Sequence, residues 1–499
     1  MRRALVPAWY AALALLVAWP LLGSGYVFAL DHAMGPNVAR HYADYVLHNT
    51  AALQDKGGYA LLLAVLVGTL GVVAAQKVLL FAPFAVAGLG AHVLARRGGG
   101  VGVAGALFAG TLYALSPFAY VRAVVGQSGV LWMYALLPWV LLAWLRAADG
   151  SRRALVAVAL LVTLVGVFQG HGVLLAAGLV AAHLVALALL RRDLRAPLKS
   201  ACILLLAVLA LNAAWWAPVL FASDGGVPAS DAAEKAFFAT RPESLPTVGH
   251  AALTLQGFWR AGYEPYYDAG WTLLLPAAML FLALQGLVLG WRSPLHLAAA
   301  LAGLAGLVLG MGPSSALARP AFELAWDHVP LFQAFREPQK LLALLALAYA
   351  VLGARAVHEW LRWARAATPA RFAVPAAAAL LLAVPLAAAA VSPLPHGFDG
   401  QLRTAAYPRG WHEVEAATAG CDGVMLVAPW HLYLDLSFVP NPDKRVTSPA
   451  KTFFTCPVLA SEDIEAGGER PADPRQAWAR HWLTRPDVRG LGNLLAPLD

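Results

Sequence analysis

"YALLLAVLVGTLGVVAAQKVLLFAPFAVAGLGAHVLA", residues 59–95, decides how this chain is laid out. Two apolar runs, 59–75 and 78–95, are separated by Gln76 and Lys77 alone. A bilayer-crossing helix needs about 20 apolar residues. Two such helices cannot turn around on two residues, so only one run can cross. The crossing is assigned to 78–95, and 59–75 is read as a re-entrant or interface-lying helix. That choice sets the side of every later loop.

Composition puts the whole chain in the same class. It is 60% hydrophobic and 13% charged, with a mean hydropathy of +0.64, outside the range of soluble globular domains. Spans are expected at 4–22, 78–95, 101–118, 131–146, 154–169, 173–190, 200–220, 271–290, 295–311, 341–358 and 372–392. The alternative for 4–22 is a cleaved signal peptide, but its exit "GSG" is a poor cleavage site. With "MRR" inside, the cytoplasmic segments hold 16 Lys or Arg against three acids, Asp149, Asp193 and Glu359. Counting 59–75 as a span flips every later loop and destroys this positive-inside asymmetry. Asp31 and its loop (23–77), then 116–129, 221–270, 312–340 and 393–499, accordingly face outward.

The expected fold is an all-α polytopic membrane protein of about eleven transmembrane helices with one re-entrant or interfacial helix. A helical domain, 1–392, precedes a small extracytoplasmic α/β domain, 393–499, where strand-like runs such as "GVMLVAPW" (423–430) alternate with Pro- and Gly-rich turns. The net charge of +8 belongs to loop topology; no nucleic-acid-binding signature is present. Cys421 and Cys456 can pair if their segment is outside, since only an oxidising compartment sustains a disulfide. No Walker loop, dinucleotide fingerprint, G-x-S-x-G elbow or H-E-x-x-H occurs.

Chemistry concentrates in the outward segments. In "GYVFALDHAMGPN" (25–37), apolar residues run up to Asp31, which places a carboxylate at the lip of the bundle, where it can act as a general base. His32, His41, Asp44 and His48 follow; the last three fall on one face of an amphipathic helix, and a divalent metal is a further option for the set. "FREPQK" (335–340) carries Arg336 and Lys340 four apart. On a helix they share a face and suit a phosphate; the plainer reading is snorkelling at a helix end. Arg122, in "YVRAVVGQ" with Tyr120 and Gln127, pairs with Asp31 or Glu337 or touches an anionic headgroup. Trp259, Arg260, Tyr263 and Glu264, in "GFWRAGYEPYYDAGW" (257–271), offer a carbohydrate-facing wall or an interfacial aromatic belt.

The order of parts, with the blocks "LDHAMGPN", "QKVLLFAPFAVAGLGAHVLAR", "LYALSPFAYVRAVVGQSGVLWMYALLPWVLLAW", "FREPQK" and "PWHLYLDLSF", resembles the GT-C class of integral-membrane glycosyltransferases, arabinofuranosyl- and mannosyltransferase-like proteins among them, and their uncharacterised bacterial and archaeal relatives. The resemblance implies a multi-pass plasma-membrane enzyme with a cytoplasmic N-terminus. It moves a sugar, with inversion, from a polyprenyl-phosphate donor to an extracytoplasmic glycan, lipid or protein acceptor. Asp31 matches the carboxylate of the first outward loop, the catalytic base. His32 stands where many members carry a second acid and is grouped with the substrate-binding residues. Arg336 and Lys340, by location, are candidates for the donor phosphate; Arg122, Trp259, Arg260 and Glu264 complete the substrate-binding set.

Two rivals remain in view. One is a non-catalytic scaffold that binds lipid or glycan. The other is a transporter, against which the runs hold few ionisable groups (His92, His183, His296) and no clear internal repeat.

Overall fold

The computed structural model describes residues 2–48, 57–214, 216–217, 232–268, 270, 273–367, 373–461 and 474–483. A helix occupies each of the eleven apolar runs: Arg2–Ala18, Val72–Arg97, Val103–Ala114, Ser128–Ala148, Arg152–Phe168, Gly172–Leu189, Arg195–Leu211, Leu274–Gly290, Pro294–Met311, Leu342–Ala367 and Ala373–Ala390. Among the described residues, eight helical segments are long and apolar enough to cross a membrane. The chain is a polytopic membrane protein.

The deciding stretch folds with its break moved. Gly57–Leu70 is a helix of 14 residues, short of a bilayer crossing, and Val72–Arg97 is one of 26. The chain turns at Gly71, whose φ of 75° suits a residue without Cβ. Gln76 and Lys77, expected in the connection, lie buried inside the long helix. The Lys77 ammonium donates to the Gly23 carbonyl, which satisfies a buried cation. Gly57–Leu70 packs instead on the amphipathic helix Val38–His48 through Leu63, Val38 and Met34.

The Leu342–Ala367 helix is the axis of the bundle, buried along most of its length. Small residues let its neighbours approach closely, as membrane helices do without a hydrophobic drive between them. Gly286 lies against the Leu352 backbone, Gly303 against Ala348 and Gly306 against Leu341 and Leu344. The N-terminal end of this axis carries the "FREPQK" turn.

The C-terminal segment shares its core with the first loop. Strand β1 (Tyr26–Val27) pairs antiparallel with β2 (Thr404–Ala405). Met425–Leu426 (β3) runs parallel to Val458–Leu459 (β6), and Tyr433–Asp435 (β4) antiparallel to Arg445–Thr447 (β5). Two-stranded ribbons this short cannot bury a face alone. Phe28, fully buried, supplies the missing wall by packing with Tyr407, Val439, Val446 and Phe453. Residues 405–454 therefore share one core with 26–33, while Leu394, Phe398 and Leu402 pack into the core of the helical bundle. Cys421 and Cys456 form a disulfide.

Candidate active site

The first loop delivers Asp31 on a closed turn. Ala29 and His32 exchange two backbone hydrogen bonds, Ala29 N–H to His32 O at 2.9 Å and His32 N–H to Ala29 O at 3.1 Å, leaving Asp31 at the tip. The Asp31 N–H donates to the Val125 carbonyl at 2.9 Å and docks the turn on the bundle. Gly126 makes that approach possible. At φ 82°, it sits where a Cβ would come within 2.6 Å of the His32 Cβ.

This docking corrects the reading of His32 as a substrate contact. It is 2% exposed, with its Nε2 bonded to nothing, and burial holds its pKa down at about 4. The turn that presents Asp31 outward folds His32 under.

Arg122 is the next change. The turn 116–129 continues the preceding helix as a short helix, Pro117–Val124, capped by the Ser116 hydroxyl, and Arg122 is 2% exposed. Its guanidinium lies between the rings of Phe118 and Phe258. Of the two acids weighed for it, it meets Glu337: Nη1 is 3.1 Å from Oε2. Lys340 Nζ is 3.0 Å from the other Glu337 oxygen.

Gln127 joins this buried triad to Asp31. Its Oε1 accepts from Arg122 at 2.6 Å, while its Nε2 donates to Asp31 Oδ2 at 3.0 Å and to Glu337 Oε2 at 3.2 Å. Two carboxylates thus share one amide. The Tyr433 hydroxyl donates to Asp31 Oδ1 at 3.0 Å.

The two acids are pushed in opposite directions. Burial works against ionising Glu337, but the charges of Lys340 and Arg122, with hydrogen bonds from Lys340 and Gln127, overcome it and hold the group at about 2. Asp31 is raised, first by desolvation and then by the Glu337 charge, against the bonds from Gln127 and Tyr433 and the charge of Lys340. Water still reaches this residue, which limits the rise. One fixed anion beside one carboxylate poised to take a proton is the arrangement that assigns acid–base roles.

The Arg336–Lys340 face is corrected. Pro338 disfavours helix at Glu337, whose ψ is 84°, and two 3-10 turns, Phe332–Phe335 and Pro338–Leu341, replace a continuous helix. The cations diverge: Lys340 meets Glu337, while Arg336 reaches Glu234 at 3.4 Å and lies over Phe238. Arg336 keeps about a third of its side chain exposed at 36%, so of the three cations it is the one open to an incoming anion.

The aromatic wall is also redistributed. Trp259 is buried among Phe237, Phe238 and Phe258. Arg260 pairs with Asp443 at 3.8 Å and stands over the Tyr433 ring. Tyr263 donates to Glu243. Glu264 lines a cavity of about 290 Å³ with Arg260, Tyr263, Gln401 and Asp443; Asp31 is not in its wall, although Ala29 and Leu30 are. Among the described residues no group of three or more His, Cys, Asp or Glu converges on a metal position, and in the first loop Asp44 is taken by Arg40.

Glu337, Gln127 and Tyr433 complete the site without having been singled out as its residues. The first two lie in "FREPQK" and "YVRAVVGQ", where basic residues in segments expected to face outward were the signal. Tyr433 carried none beyond its place in the block "PWHLYLDLSF".

No protein-family model matches the sequence, and no curated protein matches it. A solved structure does match in three dimensions: ArnT from Cupriavidus metallidurans in the apo state, at 14% identity and a TM-score of 0.55, covering 99% of this chain and 91% of that one. At this identity the likeness is one of fold, and it extends over nearly the whole chain.

Proposed function

We propose that the chain is an integral-membrane glycosyltransferase that moves a sugar from a polyprenyl-phosphate donor to an extracytoplasmic acceptor, with Asp31 as general base. The observation that carries this is the divergent pair of carboxylates on the Gln127 amide, set at one end of an ArnT-like bundle. Asp31 takes the proton of an acceptor hydroxyl as that oxygen attacks the sugar's anomeric carbon. The carbon–oxygen bond to phosphate breaks on the opposite face, and polyprenyl phosphate departs with the electron pair. The base contributes roughly 10²–10⁴-fold, and electrostatic stabilisation of the departing phosphate supplies most of the remainder.

The cations divide this work. Arg122 is enclosed and spent on Glu337 and Gln127, so it holds the site together. Arg336, partly exposed at 3.4 Å from its carboxylate, is the donor-phosphate contact, with Lys340 behind it. The site and the C-terminal segment face the extracytoplasmic side and the N-terminus the cytoplasm; the positive-inside asymmetry and the Cys421–Cys456 disulfide support that orientation.

A scaffold that binds lipid or glycan without turnover is the second reading. It is favoured by one fact: each Asp31 oxygen already accepts a hydrogen bond from the protein. The deciding experiment incubates purified wild-type and Asp31→Asn protein with a panel of polyprenyl-phosphate sugars and an acceptor extract of the native membrane. Free polyprenyl phosphate is then measured by mass spectrometry. Release by wild type alone supports the transferase and names its sugar. Equal release by both removes Asp31 as base, and no release from any donor by folded protein moves the balance to the scaffold.

A further inference from the structure

We infer that Tyr433, carried to the Asp31 turn by the C-terminal segment, is a positioning residue for the Asp31 carboxylate, so that the outward segment completes the site. This deepens the glycosyltransferase reading and rests on it.

The Asp31 carboxylate is held from two sides. Gln127, on the bundle, donates to one oxygen at 3.0 Å, and Tyr433, 402 residues along the chain from Asp31, donates to the other at 3.0 Å. An ionised carboxylate oxygen has about two acceptor positions. One bond to each therefore fixes the rotation of the carboxylate plane and leaves each oxygen a position for an incoming hydroxyl. Orientation of this kind is worth much of a rate, because a misplaced catalytic group loses its near-attack geometry.

Tyr433 is itself anchored on the turn it serves. It opens β4 and pairs with Thr447 of β5. The Thr447 N–H donates to the Leu30 carbonyl at 2.8 Å, one residue before Asp31. Asn441, in the connection between β4 and β5, donates to the Phe28 carbonyl at 2.8 Å. Arg260 stands 6.0 Å from the Tyr433 ring and 3.8 Å from Asp443. The strand that carries Tyr433 cannot move off the Asp31 turn without disturbing several of these contacts, which distinguishes a fixed support from a swinging lid.

Charged groups also act here. Glu337, Lys340 and Arg122 face Asp31 from the bundle, and Arg260 and Glu337 act on Tyr433. Tyr433 is the uncharged donor among them. Burial, with the Asp31 charge, pushes its phenol further up, so it stays a donor. Deleting its hydroxyl tests orientation without changing net charge.

Tyr433→Phe keeps the ring and its packing. The lost bond stabilised ionised Asp31, so the Asp31 titration moves to higher pH. Infrared difference spectroscopy of the carboxyl band, with Asp31→Asn as the blank, reads this without any substrate. On the polyprenyl-phosphate sugar that wild type consumes, kcat falls about tenfold with the donor KM unchanged, and the acid limb of kcat/KM moves in the same direction. Asp435→Asn, on the exposed end of the same strand, leaves both readouts in place. A Tyr433→Phe titration that coincides with wild type overturns the inference, even if activity drops, since that drop is then structural. Failure of the transferase reading looks different: Asp31→Asn is as active as wild type, or no donor is consumed, while the infrared comparison still decides the role of Tyr433.

Discussion

The two ends of the axial helix carry the same kind of charge cluster with different surroundings. At one end Glu337 lies between Arg122 and Lys340; at the other Glu359 lies between Arg355, at 2.7 Å, and Arg362, at 2.6 Å. Each is one carboxylate with two cations. At the Glu337 end both cations are enclosed, 2% and 8% exposed, whereas Arg355 and Arg362 are 27% and 66% exposed and reach toward water. The Glu337 cluster also passes a hydrogen bond, through Gln127, to a second carboxylate. Charge content therefore does not mark the candidate site. Enclosure and the linked acid do.

The largest expected effect falls on that linked acid. Asp31→Asn should lower turnover by roughly 10²–10⁴-fold while lipid binding persists. Stability gives a second, opposite readout. The Asp31 pKa is raised in the folded protein, so the folded form favours the proton, and its contribution to stability is present at acid pH and lost as pH rises through the folded value. Asp31→Asn should accordingly melt higher than wild type at neutral pH, with the gain vanishing in acid. A lower melting temperature at neutral pH would remove the poised-carboxylate reading.

Glu337→Gln comes next, and its sign is reversed. It strands two enclosed cations, and breaking a buried pair costs about 3–5 kcal/mol. Glu337 falls from an ordinary value of 4.5 to about 2 on folding. Its stabilisation is complete above the ordinary value and disappears as pH drops from 4.5 toward about 2. Melting curves in detergent across that window should converge for wild type and variant. Curves that stay parallel would show that Glu337 is not the ionised partner.

How far the sequence carried these distinctions depends on range. Each apolar run became a helix because hydrophobicity over about 20 residues is a local signal. The break at Gly71 was available in the same terms, yet Gln76 and Lys77, as polar residues, looked like the connection; a buried lysine bonded to Gly23 shows how a helix keeps them. The split between Arg336 and Lys340 was also local, because Pro338 constrains Glu337. The contact of Tyr433 with Asp31 was beyond reach. Tyr433 lies on a strand three residues long, too short for periodicity, and its partner lies at the other end of the chain.

Arg336→Ala ranks below the two carboxylates. Its guanidinium is partly solvated and its bond to Glu234 is long at 3.4 Å, although Glu234 is itself enclosed, so stability should fall by less than in Glu337→Gln. If it meets the donor phosphate, the donor KM should rise about tenfold, the loss of one charge-assisted contact. An unchanged KM would hand the phosphate to Lys340.

The smallest effect is expected at the other end of the axis, where the comparison can be broken outright. Glu359→Gln removes a carboxylate that is itself 3% exposed, but its two arginines keep 27% and 66% of their side chains exposed, so neither is left as fully enclosed as Arg122 or Lys340. The loss should stay below that of Glu337→Gln, at about 1 kcal/mol, because only the carboxylate side of each pair is enclosed. Turnover should not change, since no hydrogen bond links Glu359 to a second acid among the described residues. A Glu359→Gln melt as low as that of Glu337→Gln would mean that position on the axis, and not enclosure, sets the cost. The distinction between the two ends would then fail.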